Sequence, residues 1–364
     1  MGKYSLENFE KYKTYKIRPE PLDSHPNNLG RGQFFFLNVP WTEVEPERGR
    51  FELSSIEKAL ENAFNPVLVI DPTPPAWAMS NVSTFYANLI IKIGSRYDGD
   101  ERLTGAVIST IQNNAEEIDA YHIAFTKTKL FVNLQDQVAI SYLKSQSIDF
   151  GLLVKLDSEN RMECCELFAR QNLQFVWERN PVLVQSANEQ SDAYAYQEAL
   201  RWHAAFSNHL LDLGFNFSLR RLTYPKAISN NGALPLRFWF VNSGTSLCYK
   251  KFHLSLLLFQ DGLSYSLPLH ADTETWGLGD ITHNEIVKLP AMKLGQYTVA
   301  VGLFFENNEP IRIDIKNNSN HGFYEVGTVE VDTMQREDLF HIWDDYYPEG
   351  YYPLEDPQAP NESN

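Results

Sequence analysis

Pro66-Val67-Leu68-Val69-Ile70-Asp71-Pro72-Thr73-Pro74-Pro75-Ala76-Trp77 decides the reading of the N-terminal half. Its apolar, β-branched start is too short for a helix, and the prolines at 72, 74 and 75 forbid a helix directly after it. A run that is apolar on both faces suits a strand of a parallel sheet covered on both sides. Upstream, Gln33-Phe34-Phe35-Phe36-Leu37-Asn38 repeats the pattern. Ser54-Ser55 then caps an amphipathic segment with Ile56, Leu60 and Phe64 on one face, a helix. Downstream, helices are expected over 84–97, 116–125, 138–144, 161–170 and 193–213, and strands over 106–111, 130–133, 150–155, 173–177 and 181–185.

That alternation predicts seven strands and an α/β fold, a (β/α)8 TIM-like barrel over residues 1–213. An eight-stranded barrel needs at least about 200 residues, so this one must be compact and irregular. After Gly214 the pattern changes to short β-rich runs punctuated by Asn230-Asn231-Gly232, Asn242-Ser243-Gly244, Asp261-Gly262 and Asn307-Asn308. Strands are expected over 236–241, 253–259, 265–269, 285–289, 297–305, 311–315 and 324–331, an antiparallel β-sandwich over 214–332. The remaining 333–364 form an acidic aromatic tail carrying Tyr346-Tyr347-Pro348 and Tyr351-Tyr352-Pro353. It reads as a flexible segment, with docking to a protein partner as the sharper alternative.

With 31 basic against 47 acidic residues, the net charge is −16. Such a field repels phosphate backbones, so no nucleic acid is expected; a neutral ligand such as a sugar fits better. No run reaches the roughly 18 apolar residues that span a bilayer, and Met1 to Glu10 lacks the apolar core of a signal peptide. The expectation is a protein without membrane contact, cytoplasmic as written and extracellular if a leader has been trimmed. Cys164, Cys165 and Cys248 read as free thiols. Neither Cys-x-x-Cys nor His-Glu-x-x-His occurs, so no metal or cofactor is expected.

In a parallel barrel the ligand site lies at the carboxyl ends of the strands. Those positions hold Asn38 and Trp41, Asp71 and Trp77, the segment 112–117 with Asn114 and Glu116, Asp157, and Gln185 to Glu189. Aromatic rings mixed with carboxylates and amides form an inventory for carbohydrate.

Trp41-Thr-Glu-Val-Glu45-Pro-Glu-Arg-Gly49-Arg-Phe51 resembles the W-x-x-x-E-P-x-x-G-x-[FY] pattern that follows strand one in glycoside-hydrolase-like barrels of the clan that includes β-galactosidases and cellulases. The chain is most similar to a bacterial group of such barrels with an appended β-sandwich. Pro75-Ala-Trp77, Ser95-Arg-Tyr-Asp-Gly-Asp100 and the stretch from Leu213 through Gly244 fit the same group. The resemblance implies an acid/base glutamate in a G-x-x-G-x-x-G-E-W run. Here that run reads Ser109-Thr-Ile-Gln-Asn-Asn-Ala-Glu116-Glu117, with Glu116 in the acid/base place and the glycines and tryptophan gone. The second carboxylate is expected in P-x-x-x-E, but the chain reads Pro181-Val-Leu-Val-Gln185. A retaining glycosidase needs two carboxyl groups about 5 to 5.5 Å apart, and an amide cannot form the glycosyl ester.

The resemblance therefore implies a glycosidase-like protein with a degraded catalytic pair, binding a glycan or scaffolding without turnover. One alternative is an active hydrolase that pairs Glu116 with Glu189, Glu117 or Asp157. Another is a structural or assembly protein. For the sandwich, packing is the expected role, with a carbohydrate-binding face around Trp239, Tyr265 and Trp276 as the alternative.

Overall fold

A computed structural model describes residues 12–16, 34–61, 65–157, 159–186, 193–208, 213–315 and 319–336. The chain divides into an α/β unit, residues 25–215 with 244–249, and a β unit, residues 1–24, 216–243 and 250–364. The first strand, β1 (Tyr12–Lys16), pairs antiparallel with a strand of the β unit, so the expected range 1–213 does not hold for this segment. Residues 244–249 return to the α/β unit: Thr245 N–H donates to Gly214 O at 2.7 Å, and the Tyr249 hydroxyl to Trp177 O at 2.6 Å.

The α/β unit runs β2 (Phe35–Pro40), α1 (Trp41–Val44), α2 (Ser54–Leu60), β3 (Pro66–Asp71), α3 (Val82–Tyr97), β4 (Gly105–Val107), α4 (Ala115–Ala124) and β5 (Leu130–Asn133). It continues with α5 (Gln137–Ser145), β6 (Gly151–Leu156), α6 (Arg161–Arg170), β7 (Val182–Ser186), α7 (Ala193–Arg201) and β8 (Phe206–Ser207). The seven strands β2 to β8 form one parallel sheet in which each lies beside its successor. The sheet curls until its edges meet, with Phe34 N–H donating to Ser207 O at 3.2 Å.

Side chains alternate between the two faces of a strand. One set, Phe34, Val67, Val107, Phe131, Leu153 and Leu183 with Phe36, Val69 and Phe206, forms a small core drawn from all seven strands. The opposite set, including Leu68, Ile70, Val132, Val154 and Val184, packs under the helices with Ile90, Ile93, Tyr121, Ile140 and Phe168. Both faces are thus buried, as the continuous apolar runs require. The Phe131 ring lies over Gly151, its neighbour on β6, and over Gly105 at the start of β4: a Cβ on Gly105 would sit 2.2 Å from Phe131 Cε2, and one on Gly151 2.7 Å from Cδ1. Helices α3 and α4 approach where Gly94 faces Ala124, and a Cβ at Gly94 would meet Ala124 O at 2.4 Å.

The expected eight-stranded barrel is therefore a barrel-like sheet of seven strands among the described residues, and one of the seven differs from the expected set. Residues 173–177 are not a strand but a turn entering a 3-10 helix at Val176–Glu178. The helix expected over 193–213 ends at Arg201, and β8 follows within that stretch. Both deviations trace to helix stops that carry no glycine. After α7, His203 takes φ 51°, with His203 N–H on Leu200 O and Ala204 N–H on Ala199 O. After α6, Asn172 takes φ 49°, with Asn172 N–H on Ala169 O and Leu173 N–H on Phe168 O. These are Schellman caps, usually closed by glycine.

The β unit holds a four-stranded sheet, β1, β9 (Phe217–Pro225), β11 (Ala233–Asn242) and β14 (Gly279–Lys288), in that order. A second sheet has the order β10 (Ala227–Ser229), β18 (Phe323–Asp332), β15 (Gly295–Phe305), β12 (Phe252–Gln260), β13 (Leu263–Pro268). The short strands β16 (Pro310–Ile311) and β17 (Ser319–Asn320) pair with β15 and β18. Pairing is antiparallel except between β10 and β18. Phe217 of the first sheet packs on Phe252 of the second, ring centroids 5.3 Å apart, and the Tyr224 hydroxyl donates to Thr328 O across the same core. Trp276, considered as a sugar-binding ring, is buried among Phe217, Phe240 and Phe252. Tyr265 packs against Tyr297, and half-buried Trp239 donates to Asp280 at 2.7 Å under the Arg221 guanidinium. All but the first few residues of the 333–364 tail lie outside the described residues.

Candidate functional site

The inward series of the curled sheet changes character at the carboxyl ends of the strands. Phe34-Phe36 leads to Asn38, Val107 to Ser109, Phe131 to Asn133, Leu153 to Lys155 and Leu183 to Gln185, each two residues on and so on the same face. These polar residues, with Thr110, Gln135, Asp136 and Pro72, line a cleft of about 580 Å³ floored by Phe36, Val69, Val107 and Leu153. An apolar floor with convergent polar groups is the ordinary construction of a small-molecule site.

Two loops build its rim, and both are held by side chains. Asp136 caps α5: its Oδ1 accepts from Ala139 N–H and from Asn113 Nδ2, each at 2.9 Å. Asn133 Oδ1 accepts from Gln135 N–H at 3.1 Å, and Gln135 Nε2 donates to Lys155 O at 3.3 Å. On the other side, Glu117 in the first turn of α4 is fully buried. It accepts from the Ser83 hydroxyl at 2.6 Å and from the N–H groups of Ile111 and Gln112 at 2.7 and 3.1 Å. Beneath that loop the Tyr86 hydroxyl bridges Ser109 O, Ile70 O and the Tyr121 hydroxyl. Burial pushes the Tyr121 phenol up to about 12 and raises that of Tyr86 as well, so both remain neutral donors.

Two groups at the mouth are uncommitted among the described residues. Gln185 Oε1 is buried without a hydrogen-bond partner. Lys155, directly beside Gln185 in the β6–β7 register, is exposed and enters no ion pair. A buried acceptor left unpaired costs about 1–3 kcal/mol, so a donor arriving in the cleft recovers that penalty.

The sequence-derived residues separate accordingly. Asn38 and Gln185 line the cleft. Glu116 does not: it is exposed on the outer turn of α4, where its carboxylate accepts from Thr84 at 2.9 Å. Asn114 is the N-cap of α4, accepting from Glu117 N–H at 3.0 Å and donating to Ser83. Asp71 accepts from the Thr73 backbone and hydroxyl, and Asp157 from the backbone of Glu159 and Asn160; both organise turns. Glu189 lies outside the described residues.

Trp41, expected at the cleft, is completely buried and edge-on to Trp77 at 5.9 Å. Its Nε1 donates to Glu45 Oε2 at 3.2 Å, Glu45 Oε1 accepts from Gly49 N–H at 2.8 Å, and Trp77 Nε1 donates to Glu45 O at 3.3 Å. The motif Trp41…Glu45…Gly49 is a folded clamp, with Gly49 at φ 81° closing it. Ser109, Thr110, Asn133, Gln135, Asp136 and Lys155 were not singled out from sequence. The signal for three of them was the period-two alternation, which places Ser109, Asn133 and Lys155 in phase with Val107, Phe131 and Leu153.

Among the described residues no three His, Cys, Asp or Glu side chains stand together as metal ligands, and no helix is long and apolar enough to cross a membrane. Cys164, Cys165 and Cys248 are free thiols.

No protein-family profile matches the chain, and no curated protein matches it. Among solved structures, a β-glucosidase from Listeria innocua in complex with glucose is 11% identical, covering 89% of this chain and 48% of that one, with a TM-score of 0.21. The chain thus spans about half the length of that enzyme. A CARDB domain from Pyrococcus furiosus in complex with di-metal ions is 11% identical over 32% of this chain and 89% of its own, with a TM-score of 0.21. Chicken MD-1 complexed with lipid IVa is 15% identical over 32% and 80%, with a TM-score of 0.20. Likenesses at that level carry no argument about function.

Proposed function

We propose that the α/β unit binds a glycan in the cleft at the carboxyl ends of its strands and does not hydrolyse it. The observation that carries this reading is the lining itself: amides and hydroxyls from Asn38, Ser109, Thr110, Asn133, Gln135 and Gln185, with Asp136 as the one carboxylate among the described residues. Amides and hydroxyls both donate and accept, which is what a sugar's hydroxyl groups require. Glycoside hydrolysis by the usual routes needs two carboxyl groups across the scissile bond. Asp136 has one oxygen taken by Ala139 and Asn113, Glu116 stands outside the cleft, and Gln185 cannot ionise.

Titration calorimetry of the full chain against a panel of oligosaccharides tests the reading, with aryl glycosides as turnover probes. Saturable binding that is weakened by Gln185→Ala, with no release of aglycone, is the expected result. Aglycone release at a rate dependent on the protein overturns it.

A further inference from the structure

Among the described residues Lys155 is the one cation lining the cleft, and it stands where the neighbouring strands place amides and hydroxyls. It is the fifth residue of β6, in register with Gln185 of β7, and adjacent strands lie about 4.8 Å apart. The Lys155 side chain and that of Gln185, whose Oε1 is buried and unpartnered, therefore leave neighbouring strands side by side on the cleft-facing side of the sheet. The two groups favour different partners: the buried Gln185 Oε1 lacks a donor, and the exposed Lys155 offers a positive charge to an anion. A sugar ring carrying a hydroxyl next to an anionic substituent offers a donor to the one and a charge to the other.

The rest of the lining does not cancel the cation. Among the described residues Asp136 makes no ion pair with Lys155, and its Oδ1 accepts from Ala139 N–H in the first turn of α5, where the helix dipole also offsets its charge, and from the Asn113 side-chain amide. Of the carboxylates considered from sequence, Asp71, Glu116, Glu117 and Asp157 are absent from the lining and committed elsewhere, and Glu189 lies outside the described residues. In a chain of net charge −16, an anion is repelled at long range and is held only where a local cation acts within the screening length of about 8 Å.

Resting on the glycan-binding reading above, we infer that the ligand is an acidic sugar, one bearing a carboxylate or sulfate group that Lys155 neutralises while Gln185 accepts from an adjacent hydroxyl. The neutral amides and hydroxyls hold the remaining ring positions. Asn38, exposed on β2, is available for the next one along.

Matched neutral, uronate and sulfated trisaccharides of the gluco and galacto series, titrated into the full chain, test the inference. In at least one series the anionic member is expected to bind about tenfold tighter than the neutral one, one charge-assisted hydrogen bond's worth. That advantage should shrink as salt is raised, vanish in Lys155→Met and reverse in Lys155→Glu. The exposed position of Lys155 allows all three proteins to be compared at equal melting temperature. Comparing the uronate and sulfated arms identifies which anion is preferred. Equal affinity for neutral and anionic members, or an advantage that survives Lys155→Met, overturns the acidic-sugar inference and leaves glycan binding standing. No binding by any member removes both.

Discussion

The Ser83 hydroxyl donates to the buried Glu117 carboxylate across 2.6 Å, tying α3 to the first turn of α4. Through the same carboxylate α4 holds the N–H groups of Ile111 and Gln112, so one side chain fixes the loop that presents Ser109 and Thr110 to the cleft. Its chain neighbour Glu116 faces solvent and Thr84. Adjacent acids on one helix thus differ completely in what they do.

Glu117→Ala should destabilise the chain by about 1–3 kcal/mol, since it strands the buried Ser83 hydroxyl and removes the acceptor of two partly buried backbone donors. Glu116→Ala should change stability by no more than about 0.5 kcal/mol. Urea unfolding of the two variants side by side measures the contrast; similar losses would show that the loop is held by something else.

Gly105→Ala and Gly151→Ala should each be strongly destabilising, on the order of 1–3 kcal/mol or more for overpacking. Phe131→Leu should rescue either variant only in part. The added Cβ also meets Lys129 O at 2.6 Å from position 105 and Pro181 O at 2.5 Å from position 151, and backbone cannot yield as a ring can. Full rescue in thermal melts would mean that the ring alone sets the spacing of β4, β5 and β6.

Asp98 supplies the acid limb of a pH prediction. Burial pushes its carboxyl up, but hydrogen bonds from Thr128 N–H, Lys127 N–H and the Thr126 hydroxyl outweigh that and hold it below the ordinary aspartate value. A carboxyl depressed in the folded state contributes stability that is fully present above its unfolded pKa, near 3.9, and is lost as pH falls through the folded value. Asp98→Asn should therefore be less stable than the parent at pH 7, with the gap narrowing as pH falls below about 4. A difference in urea midpoint that stays constant with pH would rule out this linkage.

Gln185→Glu restores a carboxylate at the end of β7, yet it should confer no hydrolysis of aryl glycosides. The only other carboxylate in the lining among the described residues, Asp136, caps α5 and has an oxygen committed there, which leaves the restored acid without a free partner for acid/base chemistry. Measurable turnover by this variant would mean that Asp136 can serve as the second group.

Much of the α/β unit was legible because its signals are local. The runs at 66–70, 130–133 and 150–155 are apolar on both faces and became β3, β5 and β6; the helices over 84–97 and 161–170 became α3 and α6. Two element boundaries are illegible for one reason. Asn172 and His203 end their helices in the left-handed conformation without a glycine, so nothing local separates 173–177 from a strand or β8 from the helix before it. The resemblance to glycosidase barrels directed attention to Trp41 and Glu116, whereas Trp41 serves the clamp around Glu45 and Glu116 the surface.

Alternation along each strand, readable two residues at a time, determined by itself that Asn38, Ser109, Asn133, Lys155 and Gln185 share a face with the apolar residues before them. Only the tertiary structure decided that this face is the inside. That depended on seven strands curling until Phe34 met Ser207, a closure made of contacts between residues far apart in the chain. A strand's period says which residues go together, but not which side of the sheet closes on itself.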